Sequence, residues 1–459
     1  MTKYKILFIA SLTFLTLITL SFFYYKERTC FLDISYHLFH ILKDGDFAIQ
    51  NKRFGAFFTQ LFPLLGSKFG ASLNSIAIAY SMSFVILHFL TFIFIHLGIK
   101  NSKISIAYIL FVMIMTTHSF YWIQSELPQA LSFLFILIAL LDNILNRDIA
   151  PSPYFWSFSC VLIFLVCFTH PLTIFPFSFA LIYYHILYSS KRKIIYSIGL
   201  FYFSILIIKS LFFKTPYDNQ AMGGIKNIAT LFPNYFSLQS NKNLLYYFVH
   251  DYYFVIILLI VLLVYCFKQC QYKKIFLLSS FFVGYCFLIN VSYPNGADQF
   301  YLENQYLILA FFVCLPFTFE VLPQIKNSKI QYGILCTIFA IGIFRIINTH
   351  QFYTDRLNWN RNLLSRTEGL PNKKLVISSS NIPKDTLLMT WGSSYELWIL
   401  STMEKGVSRS IIIEEIENEF DWAFPANKSF ISKWGTFDYA TLNKKYFVFT
   451  DTTSYFKTQ

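Results

Sequence analysis

The sequence predicts a mainly helical, polytopic membrane protein with a small α/β domain at its C-terminal end. Of its 459 residues, 56% are hydrophobic and 13% are charged, whereas a soluble domain carries about 25% charged residues. About eleven apolar segments follow one another before residue 349, and runs of roughly 20 apolar residues are typical of membrane-spanning helices. Charge and turn residues return beyond that point. We therefore expect a membrane domain over residues 1–348 and an outer α/β domain over residues 349–459.

The spans are expected where the apolar runs are least interrupted. Their approximate bounds are 5–25, 73–97, 104–121, 127–145, 154–170, 172–189, 194–213, 252–267, 274–291, 304–323 and 330–348. The first run ends in Phe-Tyr-Tyr-Lys-Glu and not in small residues, so we interpret it as a signal anchor and not as a cleaved signal peptide.

Basic connectors predict the orientation of these spans, because Lys and Arg are retained on the cytoplasmic side. This orientation makes the N-terminus cytoplasmic and the C-terminal domain periplasmic, in a bacterial inner membrane. The net charge of +13 partly reflects the cytoplasmic bias, so nucleic-acid binding is a poor explanation for it. Acidic residues gather on the outer face instead: Asp33, Asp44, Asp46, Glu126, Asp218, Asp251, Asp298 and Glu303.

The long first outer loop, residues 26–72, holds two apolar stretches at helical spacing. The stretch that begins at Asp33 predicts a short amphipathic helix that lies on the bilayer surface and ends at the turn Asp44-Gly45-Asp46. The second follows Arg53 and predicts another interfacial helix. Asp33 has two interpretations: an N-cap of the first helix, or a catalytic or metal-binding carboxylate at the mouth of a cavity.

The arrangement resembles the GT-C superfamily of membrane glycosyltransferases, which includes protein O-mannosyltransferases and the lipid A aminoarabinose transferase. The likeness consists of a short cytoplasmic N-terminus, one span and a long outer loop with an acid just past the span. In this chain the acid is Asp33, followed by Tyr36, a Gly-Asp turn at Gly45-Asp46 and the basic residue Arg53. Many further spans and an outer tail complete the likeness.

The resemblance implies an activity and a set of partners. It assigns Asp33 the role of general base or of ligand to a divalent metal, Mg²⁺ or Mn²⁺. Arg53 lies in the same loop and would hold the donor phosphate, which a guanidinium binds bidentately, or else it would extend to lipid headgroups. Tyr36 of this loop is a further candidate for substrate binding. The donor would be a polyprenyl-phosphate-linked sugar drawn from the bilayer, because nucleotide sugars stay in the cytoplasm. The acceptor would be a glycan, a lipid or a protein of the cell envelope.

Three further residues are candidates for the same site. GT-C enzymes often have a second acid in the second outer loop, so the resemblance implies a catalytic role for Glu126 at that place. Alternatively, Glu126 is a residue stabilised by the dipole at a helix N-terminus. His170 precedes Pro171 in a tight outer turn and would contact a phosphate or a sugar hydroxyl, or simply cap that turn. Glu303 enters a late span beside Tyr306 and would bind acceptor hydroxyls.

The C-terminal tail reads as a small α/β domain. Strands are predicted at 375–380, 386–392, 410–415 and 446–451, and a helix at 393–404. Two other functions stay open at this point. One is an O-antigen-type polymerase or ligase, in which Asp33 would be dispensable, and the other is a lipid-sugar transporter or flippase.

Overall fold

A computed structural model describes residues 3–123, 126–147, 150–216, 223–378, 380 and 382–458. The predicted outer acid Asp218 lies outside these residues. Among them, seven helices are long and apolar enough to cross a membrane, or eight if Gln239–His250 and Tyr253–Lys268, bent by 85°, form one span. The protein is therefore an integral membrane protein of mainly helical architecture, as the sequence predicts.

The helices of the membrane domain follow the apolar segments along the chain. In order they are α1 Lys3–Phe23, α2 Tyr25–Thr29, α3 Leu32–Asp44, α4 Phe57–Lys68, α5 Leu73–Ile93, α6 Ser102–Ile114, α7 Glu126–Arg147, α8 Pro153–Thr169, α9 Ile174–Leu187, α10 Arg192–Phe212, α11 Asn227–Thr230, α12 Gln239–His250, α13 Tyr253–Lys268, α14 Tyr272–Ser292, α15 Gln299–Pro316 and α16 Ser328–Arg366. Side-chain caps mark several beginnings: Ser72, Asn101 and Ser152 each accept a backbone N–H of the first turn of α5, α6 and α8.

Three predicted spans correspond to shorter apolar helices, namely Ser102–Ile114, Pro153–Thr169 and Pro171–Leu187. The prediction of one continuous span over 104–121 is wrong, because α6 ends at Ile114. The next residues form a connection that includes a 3₁₀ turn at His118–Phe120. Glu303 of α15 accepts the backbone N–H groups of 117–119 and so stabilises a non-helical backbone there.

Residues 26–72, the predicted first outer loop, contain amphipathic helices, as expected, in α3 and α4. Two details of the prediction are wrong. The N-cap of α3 is Phe31 and not Asp33, which lies inside the first turn. The apolar face of α3 is buried against the C-terminal region and not on the bilayer: the Phe39 ring lies 5.1 Å from that of Trp398 and 5.0 Å from that of Phe430. The predicted end is confirmed, with Gly45 in the left-handed conformation at φ 66°.

The C-terminal region follows a long helix. α16 has 39 residues and runs through the boundary predicted at 348/349, so the sheet begins only after Arg366. The remaining elements are β1 Lys374–Ile377, α17 Lys384–Leu387, α18 Ser393–Lys405, β2 Ser410–Ile413, β3 Ser429–Ser432, β4 Gly435–Asp438 and β5 Phe456–Thr458. A parallel sheet has the order β2-β1-β5, and β3 and β4 form an antiparallel hairpin.

Of the tail predictions, the helix at 393–404 is confirmed by α18. Two of the predicted strands fall in β1 and β2. The strand predictions at 386–392 and 446–451 are wrong, since the first stretch begins in α17 and the second has no strand. The apolar residues of these stretches are packed without a neighbouring strand. Periodicity alone does not tell a short apolar run that forms a strand from one that does not.

Candidate functional site

Asp33 lies in the first turn of α3, where its carboxylate meets the connection that follows α6. The indole Nε1 of Trp122 donates a hydrogen bond of 2.8 Å to Oδ2 of Asp33. Burial raises the pKa of the Asp33 carboxyl to about 7, the Trp122 hydrogen bond opposes that rise, and the charge of Glu126 adds to it, while Arg53 lowers it. Asp33 is thus an acid that exchanges its proton near neutral pH.

Arg53 and Glu126 form a buried ion pair beside Asp33. Nη1 of Arg53 lies 2.6 Å from Oε2 of Glu126, and the two residues are only 8% and 9% exposed. Arg53 precedes a 3₁₀ turn at Phe54–Ala56, while Glu126 is the first residue of α7, where the positive end of the helix dipole favours a carboxylate. The structure therefore brings together three of the predicted residues, which are far apart in the sequence.

His170 lies next to this pair in the turn between α8 and α9. Its Nδ1 accepts the N–H of Leu172 at 3.3 Å, which is the turn-capping contact that the sequence left as one alternative. Burial, and then the positive charges of Arg53 and Lys209, hold the pKa of His170 well below its ordinary value. The imidazole is therefore neutral, and its ring carries no charge toward a substrate.

Lys209 is a site residue that the sequence analysis missed. It is 8% exposed in α10, its Nζ donates to the carbonyl of Cys167 at 2.8 Å, and it lies 5.6 Å from the ring centroid of Phe168. A lysine inside an apolar segment is costly in a membrane unless it faces the protein interior or water. That signal was available in the sequence, and it points to the same corner as Arg53.

Tyr36 follows Asp33 by one turn of α3 and is half-buried between the first loop and the C-terminal region. Its ring centroid lies 5.2 Å from that of Tyr395 and 6.3 Å from that of Trp391. The Tyr36 side chain also forms a hydrogen bond with the Gln50 side chain. Tyr36 therefore belongs to the rim of the site on the side of the C-terminal region.

Glu303 is not brought into this group. It is fully buried, and its two oxygens accept six hydrogen bonds from protein donors. The donors are the backbone N–H groups of 117–119 and the hydroxyls of Thr117, Ser119 and Tyr252. Ser119 Oγ lies 2.6 Å from Oε1, and the Tyr252 hydroxyl lies 2.9 Å from Oε2. Glu303 holds the connection that carries Trp122, and the acceptor contact predicted for Glu303 has no support in this geometry.

The donor atoms around Asp33 fit a divalent metal poorly. Mg²⁺ and Mn²⁺ prefer several oxygen ligands in a regular shell. Glu126 faces the guanidinium of Arg53 instead, and one oxygen of Asp33 already accepts the indole N–H. Among the residues that the structure describes, no three His, Cys, Asp or Glu side chains are grouped so that they could hold a metal ion. No step of the mechanism below therefore passes through a metal.

A small cavity lies in the helix bundle close to this site. Its volume is about 60 Å³, and its walls are mostly apolar residues of α1, α5 and α6. Ile123 and Gln129, which flank the start of α7, also line it, together with the buried Arg28. Arg28 donates to Oγ and to the carbonyl of Ser81, at 2.8 and 2.9 Å, so its side chain is held by α5.

No family model, no curated protein and no solved structure matches this chain.

Proposed function

We propose that the protein is a membrane glycosyltransferase of the GT-C type, which moves a sugar from a polyprenyl-phosphate-linked donor to a cell-envelope acceptor. The observation that carries this proposal is the Asp33 carboxylate, which accepts the Trp122 indole N–H beside the buried pair of Arg53 and Glu126. Burial raises the pKa of this carboxyl to about 7, which suits a general base at neutral pH. The ion pair with Glu126 also holds the Arg53 guanidinium close to this carboxylate.

In this mechanism Asp33 takes the proton of an acceptor hydroxyl as the hydroxyl oxygen bonds to the anomeric carbon of the donor sugar. The bond between that carbon and the phosphate oxygen breaks, and the electron pair leaves with the phosphate. Negative charge grows on the leaving group, and preorganised cations stabilise such charge in a water-poor site. Arg53 and Lys209 supply positive charge in this corner, while neutral His170 and Tyr36 offer polar groups for sugar hydroxyls.

The reaction is expected to take place at the periplasmic face of the membrane. The basic connectors predict a cytoplasmic N-terminus, so the end of the bundle that carries Asp33 faces the periplasm of a bacterial inner membrane. A lipid-linked donor fits that location, because its apolar chain stays in the bilayer while its sugar reaches the outer end of the helices. We also propose that eleven apolar segments cross the bilayer, with the shorter helices α6, α8 and α9 among them.

The experiment that tests this function is the release of polyprenyl phosphate by the purified protein in nanodiscs, supplied with synthetic polyprenyl-phosphate monosaccharides and a cell-envelope extract as acceptor. We expect Asp33→Asn to lower the release by about 100-fold or more, since a positioned base contributes about that much. Glu126→Gln should lower it less, through Arg53. Asp44→Asn is the matched control, because Asp44 is an exposed acid of the same helix.

Full activity of Asp33→Asn in correctly inserted protein would contradict the proposal. The carboxyl would then serve only the local structure of α3. The function would pass to the polymerase or ligase alternative, in which basic residues of an outer loop carry the chemistry, or to a transporter.

A further inference from the structure

We propose that the rings of Tyr36, Trp391 and Trp434 form a stacking surface for the sugar units of a glycan acceptor. This surface, called here the aromatic track, extends from the Asp33 helix to the outside of the C-terminal region. The inference rests on the proposed function, since it names the acceptor class of the same site. It gives the C-terminal region the task of holding the growing or receiving glycan.

The three rings follow one another at nearly equal spacing. The Tyr36 and Trp391 centroids are 6.3 Å apart with their planes at 64°, and the Trp391 and Trp434 centroids are 6.2 Å apart with their planes at 73°. Neighbouring rings therefore meet edge to face, so successive ring faces point in different directions. Tyr36 and Trp391 are half-buried, whereas Trp434, in the turn of the β3–β4 hairpin, is 62% exposed. The track thus begins one helical turn from Asp33 and becomes open to solvent at its far end.

The inner part of the track is fixed relative to Asp33 by backbone contacts. A Cβ on Gly392, the residue after Trp391, would lie 2.8 Å from the Cα of Leu32. The two backbone segments are therefore in direct contact, and a larger side chain would push them apart. Oε1 of Glu396 accepts the N–H of Leu32 at 2.8 Å. The ring of Trp391 therefore keeps its position beside the start of α3.

A sugar ring suits such a track because its two sides differ in polarity from its rim. The faces carry C–H groups that stack on aromatic rings, and the hydroxyls around the edge stay in water or meet polar groups. Tryptophan offers the largest rigid face for this contact and a polar N–H at its edge. A single exposed apolar side chain is ordinary on a protein surface. Trp434 differs because ring contacts connect it through Trp391 to Tyr36, one helical turn from the proposed base.

Trp422 provides a matched contrast within the same region. It is 56% exposed, close to the value for Trp434, but its ring contact is with Phe420 at 6.2 Å. Among the ring contacts of the described residues, none joins Trp422 to Tyr36, Trp391 or Trp434. Substitutions of these two tryptophans can therefore be compared to distinguish a role in the track from the general effect of an exposed indole.

The test is direct saccharide binding to the full-length protein in detergent, measured by saturation-transfer NMR. The probes are linear tetrasaccharides of glucose, mannose, galactose and N-acetylglucosamine, and the protein carries Asp33→Asn so that no turnover occurs. We expect at least one probe to bind, Trp434→Ala to weaken that binding about tenfold, and Trp434→Phe to restore part of it, because alanine removes the aromatic ring whereas phenylalanine keeps one. Trp422→Ala should leave the binding unchanged.

The outcomes separate this inference from the proposed function. Equal effects of Trp434→Ala and Trp422→Ala, or no binding of any probe, would overturn the track even if the wild-type protein releases polyprenyl phosphate. Selective loss with Trp434→Ala supports the track even if the wild-type protein releases none, and in that case only the transfer reaction fails. A Trp434→Ala variant with unchanged saccharide binding but weaker adhesion of the C-terminal region to lipid would overturn the track in favour of a membrane anchor.

Discussion

The indole Nε1 of Trp122 lies 2.8 Å from Oδ2 of Asp33, across 89 residues of chain. This contact opposes the effect of burial, since it favours the charged carboxylate while burial disfavours it. The proton affinity of Asp33 therefore depends on a side chain in another loop. It follows that the reactivity of the site can be changed without touching the acid itself.

The pH dependence of transfer should report the ionisation of Asp33. As a base it must be deprotonated, so kcat/KM should rise with pH through an apparent pKa of about 7. Trp122→Phe removes the donor that favours the charged form, so the rising limb should move to higher pH. The measurement is kcat/KM over the range from about pH 5 to pH 9. A limb that moves to lower pH in Trp122→Phe would contradict the assignment.

Asp33 should also make the protein less stable as pH rises. The pKa of the carboxyl is about 7 in the folded state, well above its ordinary value near 3.8, so between these values the folded state binds more protons than the unfolded state. The free energy of unfolding should therefore fall as pH rises from about 4 to about 7. Asp33→Asn removes this dependence, and its melting temperature should gain on the wild type across that window. A difference in melting temperature that stays constant across the window would count against the raised pKa.

The buried pair of Arg53 and Glu126 should show strong coupling. Each single substitution, Arg53→Gln or Glu126→Gln, leaves a buried charge without its partner and should lower the free energy of unfolding by about 3 kcal/mol. The double substitution should cost less than the sum of the two singles. The partly exposed pair of Lys433 and Glu415 is the control, with an expected coupling of about 1 kcal/mol or less. Additive losses at Arg53 and Glu126 in a denaturation series would exclude the coupling.

The sequence predicted the parts of this structure that depend on local periodicity. Apolar runs located the long helices, and the acid just past the anchor together with Glu126 and Arg53 could be singled out by residue type. The position of the amphipathic helix α3 could not be predicted in the same way. Its period shows that one face is buried, but only the fold shows that the cover is Trp398 and Phe430 and not lipid.

Contacts across long stretches of chain escaped the sequence analysis for the same reason. Nothing in the residues around Trp122 shows that its indole reaches Asp33, and Glu303 reads as a free acid of an outer loop until its six donors are seen. Lys209 differs, because a lone lysine in an apolar helix is visible in the sequence. A search for polar residues within spans, added to the search for loop acids, would have found it.

Removal of divalent cations should leave the transfer activity unchanged. Asp33, the candidate metal ligand of the sequence analysis, accepts an indole N–H instead, and Glu126 is paired with Arg53. The measurement is polyprenyl-phosphate release before and after treatment with EDTA, with Mg²⁺ and Mn²⁺ added back separately. A loss with EDTA that either cation restores would show that the donor rearranges the carboxylates around a metal.

Glu303→Gln should act on Asp33 at a distance. The carboxylate accepts the N–H groups of 117–119, and a glutamine amide would place its own N–H₂ against these donors, which should cost about 3 kcal/mol of stability. Because the same connection carries Trp122, its indole should then hold Asp33 less firmly, and the rising limb of kcat/KM should move to higher pH, as in Trp122→Phe. In the Trp122→Phe background the Glu303→Gln change should add no further shift. A shift that does add would mean that Glu303 reaches the site by another route.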